Sequence, residues 1–415
     1  MSEHPREPLG QRPPINVVRR FLKIVVITIC VLLLIGAVFV ASRYTTNRRL
    51  MALAKPSDPQ GVDVSFGWDG PTTGPAYDWL ERRIGMEPAF ALLCRPVSLI
   101  VSGRDENVSD ATVLRLLRES SGMKQVFIHN RDLPVGCLEA IATRHQVEVL
   151  DIRLPVVGGQ EAEWLLRMTR LKQVNVSQFV REPRENDWSW LKSLPKLEAL
   201  GVTMWDATER DVIALAECAA TESLHLTGED LSDDALNRLC DLPALKYLSL
   251  QGSRIRLRFP NERKLPSTLE TLDINWTGVD DESLAAIAGL AQLNRVSIMG
   301  GTVSDAGMET LARLPALRQL WLQELKQVTE DGLKDLISNP SLCEVVVKGC
   351  GISPQGLILL MEIPNWTDIT YEDIHFHRQS GTTGDAVSLE QLEAHLKMRR
   401  QMQEERNSVE DDPIR

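Results

Sequence analysis

The chain has 415 residues, of which 43% are apolar, and a formal charge of −11 at pH 7, a composition that belongs to a folded protein. The charge is unevenly spread: residues 1–55 hold nine Lys and Arg against two acidic residues, while residues 56–415 hold 37 against 55. So acidic a main portion excludes a nucleic-acid binder, because phosphate neutralisation needs a basic face.

Residues 1–23 form a basic N-terminus. Ile24 to Ala41 (IVVITICVLLLIGAVFVA) follows, 18 residues without a charge, long enough at about 1.5 Å per residue to cross most of a hydrocarbon core. A cleavable signal peptide is the rival, but the run exceeds a usual signal core and Phe39-Val40-Ala41 is a poor small-x-small cleavage site. The reading is an uncleaved transmembrane helix over 24–42. Arg6, Arg12, Arg19, Arg20 and Lys23 slightly outnumber Arg43, Arg48, Arg49 and Lys55. That places the N-terminus in the cytoplasm and the bulk of the chain outside. Residues 43–75, with PSDPQG and DGPTTGP, read as a linker. Residues 76–95 read as a capping segment, with a short helix over Tyr77–Gly85.

From residue 96 a fixed period takes over. Apolar residues recur at Val126, Leu150, Val174, Leu200, Leu224, Leu248, Leu272, Val296, Leu320, Val345 and Ile369, at spacings of 24 residues with one of 26 and one of 25. Each has an apolar partner two residues on, the mark of a strand with one face in a core. Between strands, VSDAGMETLARL (Val303–Leu314) turns to helical spacing, with Ser304 or Asp305 as N-cap and Pro315 as stop. Similar segments run over Leu231–Leu245, Val279–Leu293, Val328–Leu342 and Ile352–Trp366. A unit this small cannot bury its apolar face alone, so about 11 or 12 coils must stack in single file over residues 96–372.

These residues resemble the leucine-rich repeat family, in the variant with S/T-D-x-G-L at the helix start. The layout of basic N-terminus, anchor, YDWLERRIG and repeats is similar to membrane-anchored repeat proteins of planctomycete-type bacteria. The resemblance implies an α/β solenoid, a horseshoe with a parallel β-sheet on its concave face and helices on its convex face. The family's usual Asn after L-x-L is replaced by Ser253, Thr277, Gly301 and Cys350, so other hydrogen bonds must hold that turn. Residues 373–415 form a tail, with a capping box at Ser388 opening a charged helix over 388–406.

No phosphate loop, dinucleotide glycine pattern, nucleophile elbow or zinc-ligand spacing occurs, so no cofactor, no metal and no enzymatic activity are expected. His225, Ser249 and Asp273 fall on successive strands, but a triad needs the histidine between nucleophile and acid. Five basic residues in the irregular stretch 251–266 could meet an anionic partner or form a solvated loop. The expected function is protein or peptide binding at the cell envelope, on a concave cluster of Tyr247, Arg295, Gln319, Trp321 and Gln323. Recognition of glycan or wall polymer is the alternative.

Overall fold

The computed structural model describes residues 34, 38, 40–50, 63–69, 82, 95–102, 109–129, 132–179, 186–229, 231–252, 255–371 and 374–377. The chain divides into two compact units, residues 1–127 and 128–415.

In the first unit, β1 (Asp63–Asp69) lies antiparallel on β2 (Arg95–Ser102), with a bulge between Gly67 and Trp68. The helix Asp110–Glu119 starts at Ser109, whose side chain accepts from the Thr112 N–H, and leads to β3 (Gln125–Ile128). Residues 41–50 are helical, and their end is buried through Asn47 and Leu50 in a hollow shared with Pro96 and Ser120. The linker reading of 43–75 is therefore corrected. Turn formers crowd 56–61 and 69–75, but between them Val64, Phe66 and Trp68 alternate as a strand requires. Among the described residues no helix is long and apolar enough to cross a membrane. Most of the anchor expected over 24–42 lies outside them, as do the 388–406 helix and nearly all of Tyr77–Gly85. Leu34, Val38 and Val40 are described, and they are helical and exposed.

The second unit is a parallel sheet with helices between its strands. Its strands are β4 (Val149–Arg153), β5 (Gln173–Gln178), β6 (Ala199–Met204), β7 (Thr221–Thr227), β8 (Tyr247–Gln251), β9 (Thr271–Asn275), β10 (Arg295–Met299), β11 (Gln319–Gln323), β12 (Glu344–Lys348) and β13 (Asp368–Tyr371). Each pairs with the next in parallel. The two apolar positions of every strand are the core, from Leu150 and Ile152 to Ile369 and Tyr371, none more than 4% exposed. Each such side chain contributes about 1.5–3 kcal/mol of burial, which is why the period is so evident in the sequence.

Two departures mark where the spacing misled. Between β6 and β7 the ladder slips at Leu200 and Gly201, so that Val202, rather than Leu200, faces Leu224. The stretch 373–415, expected to be a tail, also begins with a strand: β14 (Ile374–His377) folds back antiparallel on β13 and covers that edge.

The S/T-D signature has a direct physical role. The Asp281 carboxylate accepts from the N–H (2.8 Å) and hydroxyl (2.6 Å) of Ser304, one coil on. Asp305 accepts in the same way from Thr329, at 2.7 Å for both bonds, and Glu330 accepts from the Ser353 N–H at 2.7 Å. The cap of each of these helices is thus held by the acid of the preceding one. The glycine of the motif leaves room for that acid: a Cβ on Gly307 or Gly332 would lie 2.6 Å from the carboxylate oxygen of Asp281 or Asp305.

The helical segments differ in quality. Asp305–Ala312, Glu330–Leu336 and Pro354–Leu360 are α-helices, whereas Val279–Leu293 contains only a 3₁₀ turn, Ser283–Ala286. There Asp280 and Ser283 exchange hydrogen bonds of about 3.0 Å, a capping exchange with no α-turn after it, and Gly289 at φ 79° ends the segment. At the turns that lack Asn, backbone bonds to the preceding coil substitute: Gly278 N–H to Ile255 O and Thr302 N–H to Val279 O, both 2.9 Å. The Cys350 thiol donates to Leu322 O at 3.5 Å.

Candidate binding face

The sheet face opposite the helices carries three rows of side chains. One runs Tyr247, Thr271, Arg295, Gln319 and Glu344; the middle one runs His225, Ser249, Asp273, Ser297 and Trp321; the third includes Gln251, Asn275 and Gln323. Alternation along each strand sends these residues away from the leucine core.

Four residues meet. The Arg295 guanidinium lies 4.1 Å from the centroid of the Trp321 ring. From the other side, Glu344 accepts from the Trp321 indole N–H at 3.3 Å and from the Gln319 amide at 2.6 Å. The ring is therefore held between a cation and an anion and stays partly exposed. Tyr247 joins a neighbouring pair: its hydroxyl donates to Asp273 at 3.0 Å. Burial, reinforced by the Asp273 charge, raises the Tyr247 pKa, so the phenol stays protonated. Gln323 is on the same strand as Trp321, but its side chain makes no hydrogen bond among the described residues.

Glu344 was missed by sequence reasoning, although it sits one repeat beyond Gln319 in the same row. The expected openness of this face is also corrected at Ser249 and Ser297, 3% and 5% exposed beneath their larger neighbours. Asp273 Oδ1 and Arg295 Nε are buried without a hydrogen bond, which leaves polar capacity beside the cluster.

The trio His225, Ser249 and Asp273 stands in the order the register dictates, with serine in the middle. Asp273 is engaged by Tyr247, and burial lowers the His225 pKa against the pull of Asp273. The basic stretch 251–266 is largely engaged too. Arg258 pairs with Asp280 and Glu282, Arg263 with Asp241, and Arg256 and Lys264 donate to the carbonyls of Gly278 and Ala288. Arg254 lies outside the described residues. Among the described residues no group of His, Cys, Asp and Glu is arranged to hold a metal ion.

Residues 266–288 match the leucine-rich repeat family model. That stretch is the coil built on β9, with Leu269, Leu272 and Ile274 as its L-x-x-L-x-L. Among solved structures, a chain of the Rad7 and Elc1 complex of yeast is similar at 16% identity and a TM-score of 0.50, covering 89% of this chain and 96% of that one. Internalins inlF and inlC2 of Listeria monocytogenes align at 14% and 20% identity with TM-scores of 0.37 and 0.32, covering 73% and 57% of this chain and 94% and 82% of theirs. No curated protein sequence matches the chain. At 16% identity the yeast likeness concerns the fold alone.

Proposed function

We propose that this chain is a non-enzymatic protein-binding module whose partner docks on the open sheet face around Arg295, Gln319, Trp321 and Glu344. The observation that carries the reading is the cation stacked on the Trp321 ring at 4.1 Å. A tryptophan fixed on both sides and still partly exposed loses little entropy on binding, and Trp and Arg are the residue types that anchor interfaces. Tyr247 and Gln323 would form the rim. We further propose that residues 24–42 anchor the chain in the cell membrane, with the N-terminus cytoplasmic and the repeats extracytoplasmic, and that the origin is a planctomycete-type bacterium. The exposure of Leu34 and Val38 on a helix supports an apolar surrounding for that segment.

Pull-down with the full chain tests the face: wild type, Trp321→Ala and Arg295→Ala are compared for the same co-purifying protein. A partner recovered at least about tenfold less by both variants is expected; equal recovery by all three proteins overturns the assignment. Protease added to intact cells tests the membrane side. Digestion of the repeats is expected, and their protection would refute the orientation.

A further inference from the structure

A second site lies elsewhere in the same unit, at the C-terminal ends of β6–β9. Trp205 and Trp276 each come directly after a strand. They are 38% and 54% exposed, the two exposed tryptophans among the described residues. Between them, the residues following β7 and β8 are Gly228 and Gly252. Neither glycine can carry a side chain: a Cβ on Gly228 would meet the Ala207 carbonyl at 2.5 Å, and one on Gly252 would overlap the Gly228 carbonyl. The result is a slot with an aromatic wall at each end, the two walls three strand spacings or about 14 Å apart.

The slot encloses about 880 Å³, a size suited to several residues of an extended ligand. His225, Thr227 and Gln251 line it along with the glycines, and Asp206 and Glu229 stand at its edge. Among the described residues, neither carboxylate makes a hydrogen bond or ion pair and no Lys or Arg lines the slot. Burial holds His225 below its ordinary pKa, so the described lining residues carry net negative charge at neutral pH.

The walls are also fixed. Trp205 is braced edge-on by Phe179, 5.2 Å between centroids, and Phe179 is covered by Arg153 at 4.6 Å. Trp276 sits at φ 54°, the left-handed turn that Gly300, Glu324 and Gly349 adopt at the same place after β10, β11 and β12, so its backbone direction is set by the regular turn of the repeat. A Cβ on Gly300 would lie only 3.2 Å from the Trp276 ring, so that glycine makes room for it.

We infer that this slot receives a basic segment of a partner protein, with an arginine or lysine on each of Trp205 and Trp276 and their charge balanced by Asp206 and Glu229. Indole faces attract cations, and unpaired carboxylates beside them add both charge and hydrogen-bond acceptors. The inference does not rest on the cluster of Arg295, Gln319, Trp321 and Glu344, which belongs to β10–β12.

The test uses the full chain labelled with 5-fluorotryptophan, its Trp205 and Trp276 resonances assigned from Trp205→Phe and Trp276→Phe. The probes are a hexapeptide alternating glycine and arginine, the same peptide with glutamate for arginine, and cellohexaose. The arginine peptide is expected to shift both resonances. Its affinity should fall about tenfold or more in Trp276→Ala and in Asp206→Asn/Glu229→Gln, fall with added salt, and stay unchanged in Trp321→Ala. The side chains changed in the slot are exposed, and circular dichroism confirms that each variant is folded. Absence of a shift with the arginine peptide, an equal shift with either other probe, or full affinity in the carboxylate double variant would overturn the inference.

Discussion

Trp321 and His225 occupy the same row of the sheet, yet their surroundings give them different roles. Trp321 gains its order from Arg295 and Glu344 and keeps part of its ring open. Replacing Arg295 by Lys keeps the charge but loses the planar stacking group, so an intermediate loss of partner recovery is expected, between wild type and Arg295→Ala. Because an exposed cation–π pair contributes only about 0.5–1 kcal/mol, urea unfolding should report a stability change no larger than that for either variant. His225 is different, being held neutral mainly by burial, with its pKa below the ordinary 6.5. Below that value the unfolded chain takes up a proton that the folded chain resists, so the fold loses stability as pH drops from 6.5 towards the folded pKa. His225→Gln should flatten that part of the profile. Urea titrations at pH 7.5 and 5.5 on both proteins decide it: an unchanged slope in the variant would show that His225 is not the group responsible.

At the scale of the element, the acid-to-hydroxyl bonds between successive helix starts explain why the motif needs all its members. Asp305→Ala leaves the Thr329 N–H without its acceptor, a loss of about 1–3 kcal/mol. Gly332→Ala forces a Cβ to 2.6 Å from the Asp305 carboxylate oxygen and 2.8 Å from Met308 Cγ, an overpacking cost of about 1–3 kcal/mol. The two are coupled. With Asp305 already shortened, the new methyl has more room, so the double variant should be more stable than the sum of the single losses by about 0.5 kcal/mol or more. Strict additivity in urea unfolding would refute the contact. Glu330 adds a pH dependence of its own, because hydrogen bonds from Ser353 hold its pKa below the usual 4.5. That stabilisation is complete above pH 4.5 and is lost as pH falls through the lower folded value, and Ser353→Ala should weaken it, because the hydroxyl's contribution goes while the backbone N–H bond remains. The elements also show what a sequence can reveal. Strands were legible because two apolar positions per coil repeat within a residue or two, and Trp321 was legible as a large side chain in a polar row. The β6/β7 slip was not, since Leu200 and Val202 are equally apolar and only pairing distinguishes them. Nor was Glu344, whose link to Trp321 crosses strands, or the Trp205 to Trp276 slot, which is defined by two glycines between them. β1 and β14 have no repeat to announce them.

For the whole molecule, stability is a sum over coils and the contacts between neighbours, and few forces act at longer range. Removing one complete period should therefore be tolerated where removing half of one is not. Deleting residues 296–319 joins Arg295 to Leu320 and restores L-x-L in register. Arg295 then takes the row position of Gln319, and Asp281 meets Thr329 in place of Ser304, a pairing Asp305 already makes. Deleting residues 296–307 joins Arg295 to Met308 instead, feeding a helical segment into a strand position and turning its apolar set off the core face. The 24-residue deletion is expected to fold with native-like circular dichroism and a slightly smaller urea dependence, in keeping with one less coil to unfold. The 12-residue deletion should lose cooperative unfolding in this unit. If both variants melt alike, or the full-period deletion fails to fold, then the coils of the second unit do not act as interchangeable neighbours, and the energetic independence assigned to each strand–turn–helix repeat is wrong.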